Sequence, residues 1–321
     1  MYGNGTDQSN KKALQGKAKR KYITQYLTRC LAKIATEKGD KKRAQQYWNS
    51  WHCQSRLTVG NGRTFGNFCK NRFCLVCLTN RKADIINRYY PTLSKWEDPH
   101  FVTLTIKSVP AHKLNKWMKE EMIRAFRRIR EKYKKRHQRG KAPKLIGVKS
   151  LECNYNPIRK TYNPHFHIIV PNREIAEILK KEWQLLWTKE HTYHKAQHIR
   201  RVGNLERDLV EIIKYGSKIF TEPDMKKKAQ SKIPPLIYAA ALDNIFCAMK
   251  GHRLFDRFGF NLDKAVRKKG KQQVVVDYEE ISYDRCASDW VNYDTGEVLV
   301  GFVPSGQLGW LLKNNIDMKN L

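Results

Sequence analysis

The sequence predicts an α+β protein: a central antiparallel sheet with helices packed on one of its faces, a cysteine-rich segment before it and a C-terminal extension after it. Two observations predict the layers. Short β-branched and aromatic runs, FVTLTI (101–106), LIGVKSLEC (145–153) and TYNPHFHIIV (161–170), are bounded by turn residues, as strands are. The stretches around them instead repeat apolar residues at helical spacing. A third observation, 321 residues with 40% hydrophobic side chains, gives the chain enough material for a large core.

Residues 1–50 read as a basic N-terminal helical or flexible segment, rich in lysine from KKALQGKAKRKY onward. The whole chain carries 63 Lys and Arg against 30 Asp and Glu, a formal charge of +33, which makes a polyanion the expected partner. Nucleic acid is the first suspect. An acidic membrane surface is the rival, but no run of eighteen apolar residues, lipidation signal or signal peptide supports it, and the expected location is the cytoplasm.

Residues 51–84 hold half of the eight cysteines: Cys53, Cys69, Cys74 and Cys77, in WHCQSRLTVGNGRTFGNFCKNRFCLVC. A Cys-x-x-Cys turn points two thiolates at one ion and a second pair completes a tetrahedron, so the segment is expected to bind a structural zinc. His52, adjacent to Cys53, could replace it as a ligand. Lys70, Arg72, Arg81 and Lys82 surround the cluster and could touch phosphates. Cys30, Cys153, Cys247 and Cys286 read as ordinary thiols.

Residues 85–225 alternate strands and helices. The segment 112–138 is an amphipathic, very basic helix with Leu114, Trp117, Met118, Ala125, Ile129 and Tyr133 at core spacing. A second helix, from 173 to about 190, presents Ile175, Ile178, Leu179, Trp183, Leu186 and Trp187. Strand alternation places His165, His167 and Ile169 on one face of the 161–170 strand and Phe166, Ile168 and Val170 on the other. With helices on the apolar side, the histidine side is expected to be open. Glu152 ends its strand one hairpin away. Two imidazoles and a carboxylate suit a divalent ion such as manganese or magnesium, left partly free to hold a substrate oxygen. In NLERDLVEIIKYGSKIF (204–220), Leu205, Leu209, Ile212, Ile213 and Ile219 form a core stripe. Glu211, Tyr215 and Lys218, at i, i+4 and i+7, fall within about 60° of one another on a helix.

Residues 226–321 begin basic (MKKKAQSK, VRKKGK) and turn acidic: eight carboxylates from Asp277 to Asp317 face only Arg285, Lys313 and Lys319. Charge alone suggests DNA or partner binding for the first part. VVVDY and EVLVGFV have strand composition, with YDTGE as a turn between strands.

FVTLT (101–105), NPHFHIIV (163–170) and EIIKYGSK (211–218) resemble, in order, the three motifs of the His-hydrophobic-His endonucleases. They are most like the plasmid rolling-circle replication initiators that use a single catalytic tyrosine. The resemblance spans roughly residues 50–220, including a cysteine cluster ahead of the first motif, although Leu75-Val76 stands where a proline is common. It implies that residues 85–225 are a nicking and joining domain and that Tyr215 attacks a phosphodiester to leave a 5′-phosphotyrosine. His165 and His167, with Glu152 as candidate third ligand, would hold the divalent ion; Lys218 would neutralise charge, and Glu211 would activate water for hydrolytic termination. The implied partners are a double-strand origin, a single-stranded nick site, and host helicase and polymerase. The alternatives are a transposase or relaxase of the same superfamily, or a zinc-containing nucleic-acid-binding regulator without catalysis.

Overall fold

The computed structural model describes residues 6–7, 10–213, 237–262, 279–314 and 316–318. In chain order they form β1 (Thr6–Asp7), α1 (Lys11–Glu37), α2 (Lys41–Trp51), β2 (Arg56–Gly60), β3 (Arg63–Gly66), α3 (Leu75–Leu93), β4 (His100–Thr105) and α4 (Ala111–Lys116). A π turn (Trp117–Met122) leads to α5 (Ile123–Gln138), β5 (Gly147–Asn156), β6 (Thr161–Val170), α6 (Arg173–Leu186), β7 (His198–Arg201) and α7 (Leu205–Ile213). The remainder is β8 (Ile237–Tyr238), α8 (Ala239–Met249), β9 (Phe255–Phe258), β10 (Glu279–Asp284), β11 (Asp289–Val291), α9 (Gly306–Asn314) and β12 (Ile316–Asp317). Two five-stranded antiparallel sheets with separate helices, beside a short parallel pair of β8 and β12, make this an α+β protein. The described residues group into two compact units. One takes those within Met1–Arg81, Ser217–Asp243 and Val266–Asn320, the other those within Lys82–Gly216 and Asn244–Ala265.

In the first unit, Asn10 and Asp40 cap α1 and α2 by accepting the backbone N–H of Ala13 and Arg43, each at 2.9 Å. β2 and β3 are joined by Asn61-Gly62, both at positive φ (51° and 68°), the two-residue turn whose twist matches a hairpin. The far end of the chain completes this sheet, whose order is β1-β3-β2-β10-β11, with Ile281 of β10 opposite Leu57 of β2. Trp290 on β11 is fully buried with Ala18, Leu57, Val59 and Ile281, and its indole donates to the Gln54 carbonyl at 2.7 Å. α1, the cysteine hairpin and the tail therefore share one core. Of the expected tail strands, VVVDY lies outside the described residues, and EVLVGFV contributes only a bridge between Val298 and Val291.

Asp289 explains part of the tail's acidity as structure. It is buried, and its Oδ2 accepts the N–H groups of Val300, Gly301 and Phe302 at 3.0, 2.6 and 3.2 Å. Asp289→Ala is expected to destabilise the chain by about 3 kcal/mol, because several donors lose a charged acceptor at once. A urea midpoint lowered at constant slope would show it; an unchanged midpoint would mean that the loop does not depend on this carboxylate.

The second unit is built on an antiparallel sheet ordered β7-β4-β6-β5-β9. Phe166, on one face of β6, packs against Phe126 of α5 and Trp183 of α6, with ring centroids 5.3 and 5.8 Å apart. Trp183 is fully buried and donates its indole N–H to the Thr105 carbonyl at 3.0 Å. The helix expected over 112–138 is present as α4 and α5 joined by the π turn. α6 ends at Leu186 rather than near 190, and Leu186 is exposed rather than core. After β9 the backbone turns at Gly259 with φ 77°, so close to the chain that a Cβ there would sit 1.9 Å from the Leu145 carbonyl oxygen.

Candidate active site

Cross-strand neighbours share a face of the sheet. Register therefore groups His165, His167 and Ile169 of β6 with Glu152, Ser150 and Val148 of β5 and with Thr105, Thr103 and Phe101 of β4. Arg200 of β7, opposite Phe101, joins the same face. The expectation of an open face needs correction here. Glu152 and His165 are only 3% and 4% exposed, and Ile169 is fully buried.

α7 lies on this side. Arg200, whose guanidinium rests 4.5 Å from the centre of the Phe101 ring, is held by Asp208 of α7 through two bonds of 2.6 and 2.8 Å. Those bonds raise the Arg200 pKa; its partial burial opposes them, and Glu211, one turn further along α7, adds to the rise. Leu209, Ile212 and Ile213 are fully buried, which seats the apolar stripe of α7 and leaves Glu211 half-buried beside it. The amphipathic pattern of 204–213 thus aims the Glu211 segment at the histidine side. Tyr215 and Lys218 lie outside the described residues.

The two imidazoles converge on one carboxylate. Nε2 of His165 is 3.8 Å and Nε2 of His167 3.7 Å from Oε2 of Glu152, and the three potential ligand atoms all lie within 4.8 Å of one another. Each ring is fixed from behind: Nδ1 of His165 meets the Asn163 carbonyl at 3.0 Å and Nδ1 of His167 meets Thr103 Oγ1 at 3.2 Å. An Nδ1–H bonded to an oxygen directs the Nε2 lone pair forward, the arrangement that metal-ligating histidines need. Ser150 Oγ donates to Glu152 Oε1 at 3.4 Å and orients the carboxylate. Thr103, Ser150, Arg200 and Asp208 were not among the sequence candidates. Thr103 sits inside the quoted FVTLT run, but only the β4–β6 register shows that it backs His167.

The cysteines form a second constellation, in the other unit. The Sγ atoms of Cys53, Cys69, Cys74 and Cys77 lie within 4.8 Å of one another, Cys53 to Cys77 at 3.5 Å and Cys69 to Cys77 at 3.6 Å. Backbone N–H groups point at sulfur, from Cys69 to Cys53 at 3.5 Å and from Lys70 to Cys77 at 3.3 Å. Cys53, not the exposed His52, joins the group. Lys21 of α1 is fully buried beside it and donates to the carbonyls of Trp51 and Cys53 at 2.6 and 2.7 Å. Burial pushes its ammonium down to about 8, opposed by the charge of Cys53, Cys74 and Cys69.

The family model described as "Replication protein" matches residues 63–292, well over half of the chain and both constellations except Cys53. The chain belongs to the replication protein family. The family is the one its motifs resemble, the Rep proteins of rolling-circle plasmids. "Protein rep" of Staphylococcus aureus is 30% identical over 168 residues, which are 47% of this chain and 70% of the relative. "Protein rep" of a Bacillus species is 31% identical over 161 residues, 45% of this chain and 50% of that protein. "Protein rep" of Bacillus amyloliquefaciens is 29% identical over 158 residues, 46% of this chain and 45% of that protein. The chain thus spans about half the length of the two Bacillus relatives. No solved structure matches. Among the described residues, no helix is long and apolar enough to cross a membrane.

Proposed function

We propose that this replication protein initiates plasmid rolling-circle replication by nicking one strand of a double-strand origin in the cytoplasm. The observation that carries the reading is the convergence of His165 and His167 on Glu152, on the sheet face that α7 covers. The donor set fits a divalent cation such as manganese or magnesium: two imidazoles with oriented Nε2 atoms, one buried carboxylate and a gap too wide for direct hydrogen bonds. Bound there, the ion would supply Lewis-acid polarisation of the scissile phosphate. Tyr215 would attack that phosphorus through its phenolic oxygen, forming a 5′-phosphotyrosine as the bond to the 3′ oxygen breaks; the released 3′ hydroxyl primes synthesis by a host polymerase, with a host helicase opening the duplex. Lys218 would balance the charge on the phosphate. Single-stranded DNA is the expected form of the substrate at the cut, because in-line attack by a tyrosine phenol needs a phosphate that is not held in an intact duplex.

The direct test is mass spectrometry of the adduct formed on an oligonucleotide carrying the nick site with manganese. A phosphotyrosine at Tyr215, absent from Tyr215→Phe, is the expected result. An adduct at another residue, or none with the unaltered chain on any origin strand, would end the nicking proposal and leave a non-catalytic binder.

Glu211 would act after replication, as the general base that lets water resolve the second cleavage. Glu211→Gln is expected to nick at the parental rate while hydrolytic release falls by about 10²-fold or more. Release measured from a preformed second nick site decides it, since equal release by both proteins removes this role.

The four cysteines would hold a structural zinc, because four thiols converge and N–H groups aimed at sulfur stabilise thiolates.

A further inference from the structure

We infer that the second unit carries a duplex-binding groove separate from the candidate active site, between α5 and the edge strand β9. It is a cleft of about 830 Å³ whose lining includes five cations: Arg130, Lys134, Lys144, Arg253 and Arg257. Two carboxylates, Glu131 and Asp256, share the lining. Among the described residues only one ion pair forms within it, Arg253 to Asp256 at 3.2 Å, with Arg253 77% exposed. The charge is not an accident of one helix face. Arg130, Lys134 and His137 repeat at i, i+4 and i+7 along α5, Lys144 comes from the loop before β5, and Arg253 and Arg257 come from the far wall. Buried Lys149 of β5 lies within the field of these groups: burial pushes its ammonium down to about 8, Asp256 opposes the fall, and Arg130 and Arg253 add to it.

The occupant follows from what the described lining of the groove lacks. Single-stranded nucleic acid is held by cations together with exposed aromatic rings that stack on bases. Here Phe258 is buried beneath Arg130, and Phe260 is half-buried against Trp96 with ring centroids 5.9 Å apart. Cations without stacking surfaces suit the phosphate backbone of a duplex, which fixes position without reading bases. From Arg130 to His137 the helix rises about 10 Å, the length over which one strand presents about three phosphates. The placement rests on the reading that the chain acts on DNA, and it gives the protein a grip on the intact duplex in the same unit that would cut a single strand.

The test compares the full chain with Lys134→Gln/Lys144→Gln/Arg253→Gln, three exposed positions. A control, Arg124→Gln/Arg128→Gln/Lys135→Gln, loses the same charge from α5 outside the groove. Binding to a short duplex without a nick site is measured by fluorescence anisotropy between roughly 50 and 200 mM salt. The groove variant is expected to weaken duplex binding at least tenfold and to reduce the slope of log affinity against log salt by about 2 to 3, the control by less than 1. Its affinity for a single strand stays within threefold of the parent. Equal losses in both variants, an unchanged slope, or a loss confined to the single strand would each overturn the groove. Because the duplex carries no nick site, this outcome is independent of Tyr215: a chain that forms no adduct refutes the nicking proposal and leaves the slope comparison intact.

Discussion

His167→Ala is expected to lower the rate of origin nicking by about a thousandfold, ~4 kcal/mol of barrier. Among the described residues the imidazole is one of two ring nitrogens that face the buried Glu152 carboxylate, and its removal takes one potential ligand from the site. The same substitution is expected to abolish the heat of manganese binding in calorimetry, a readout independent of cleavage. Thr103→Val separates binding from chemistry. Thr103 touches Nδ1 of His167 and no reacting atom, so it is a positioning residue. Its loss is expected to weaken manganese binding 10–100-fold and to be rescued by saturating ion. Glu152→Gln keeps the shape of the site and removes its charge, and it is expected to resemble His167→Ala. Nicking by His167→Ala within threefold of the parent would mean that the pair of histidines is only a buried polar contact.

The sheet and this site were readable to different depths. β6 coincides with TYNPHFHIIV because ten residues with period-two alternation leave little choice of boundary, and alternation alone puts two imidazoles on one face. Glu152 does not end its strand as expected, since β5 runs on to Asn156, and only the register that sets it opposite His165 brings the groups together. What the sequence hid was long-range. Lys21 looks like one more lysine in a basic run, yet it is fully buried and holds the cysteine segment to α1. β10 pairs with β2 across more than two hundred residues, a partnership that no local pattern encodes. The apolar stripe of α7 was legible, but the cover it gives to the histidine face depends on Asp208 finding Arg200. Asn61-Gly62 is a signal of a different kind, a two-residue hairpin turn that local sequence encodes directly.

Loss of the zinc proposed for the cysteine cluster is expected to be the harshest perturbation of the first unit. Four thiols are gathered within 4.8 Å of one another, and none of the chain's eight cysteines forms a disulfide. Buried cysteine can be an ordinary small hydrophobe, and Cys53, Cys74 and Cys77 do pack with Val76 and Phe68. Packing alone gives no reason for backbone N–H groups to aim at Cys53 and Cys77, whereas thiolates on a cation require such donors. Structural zinc supplies about 10–16 kcal/mol to small domains that fold around it, comparable to the entire stability of an ordinary domain. The purified chain is therefore expected to contain one zinc, and Cys77→Ser or a strong chelator to lower the first melting transition by more than about 10 °C. Hydrogen exchange locates the damage: amides of β2 and β3 should lose protection, since Gln54 next to Cys53 anchors both Trp290 and the end of β3. Those of β4, β5 and β6, which have their own core, should keep theirs. A metal-free chain with full protection in the hairpin would reduce the cluster to packed thiols, and the hold of α1 on the segment would then rest on Lys21, on Thr24, which accepts the Leu75 N–H, and on Ala18 packed against Leu57.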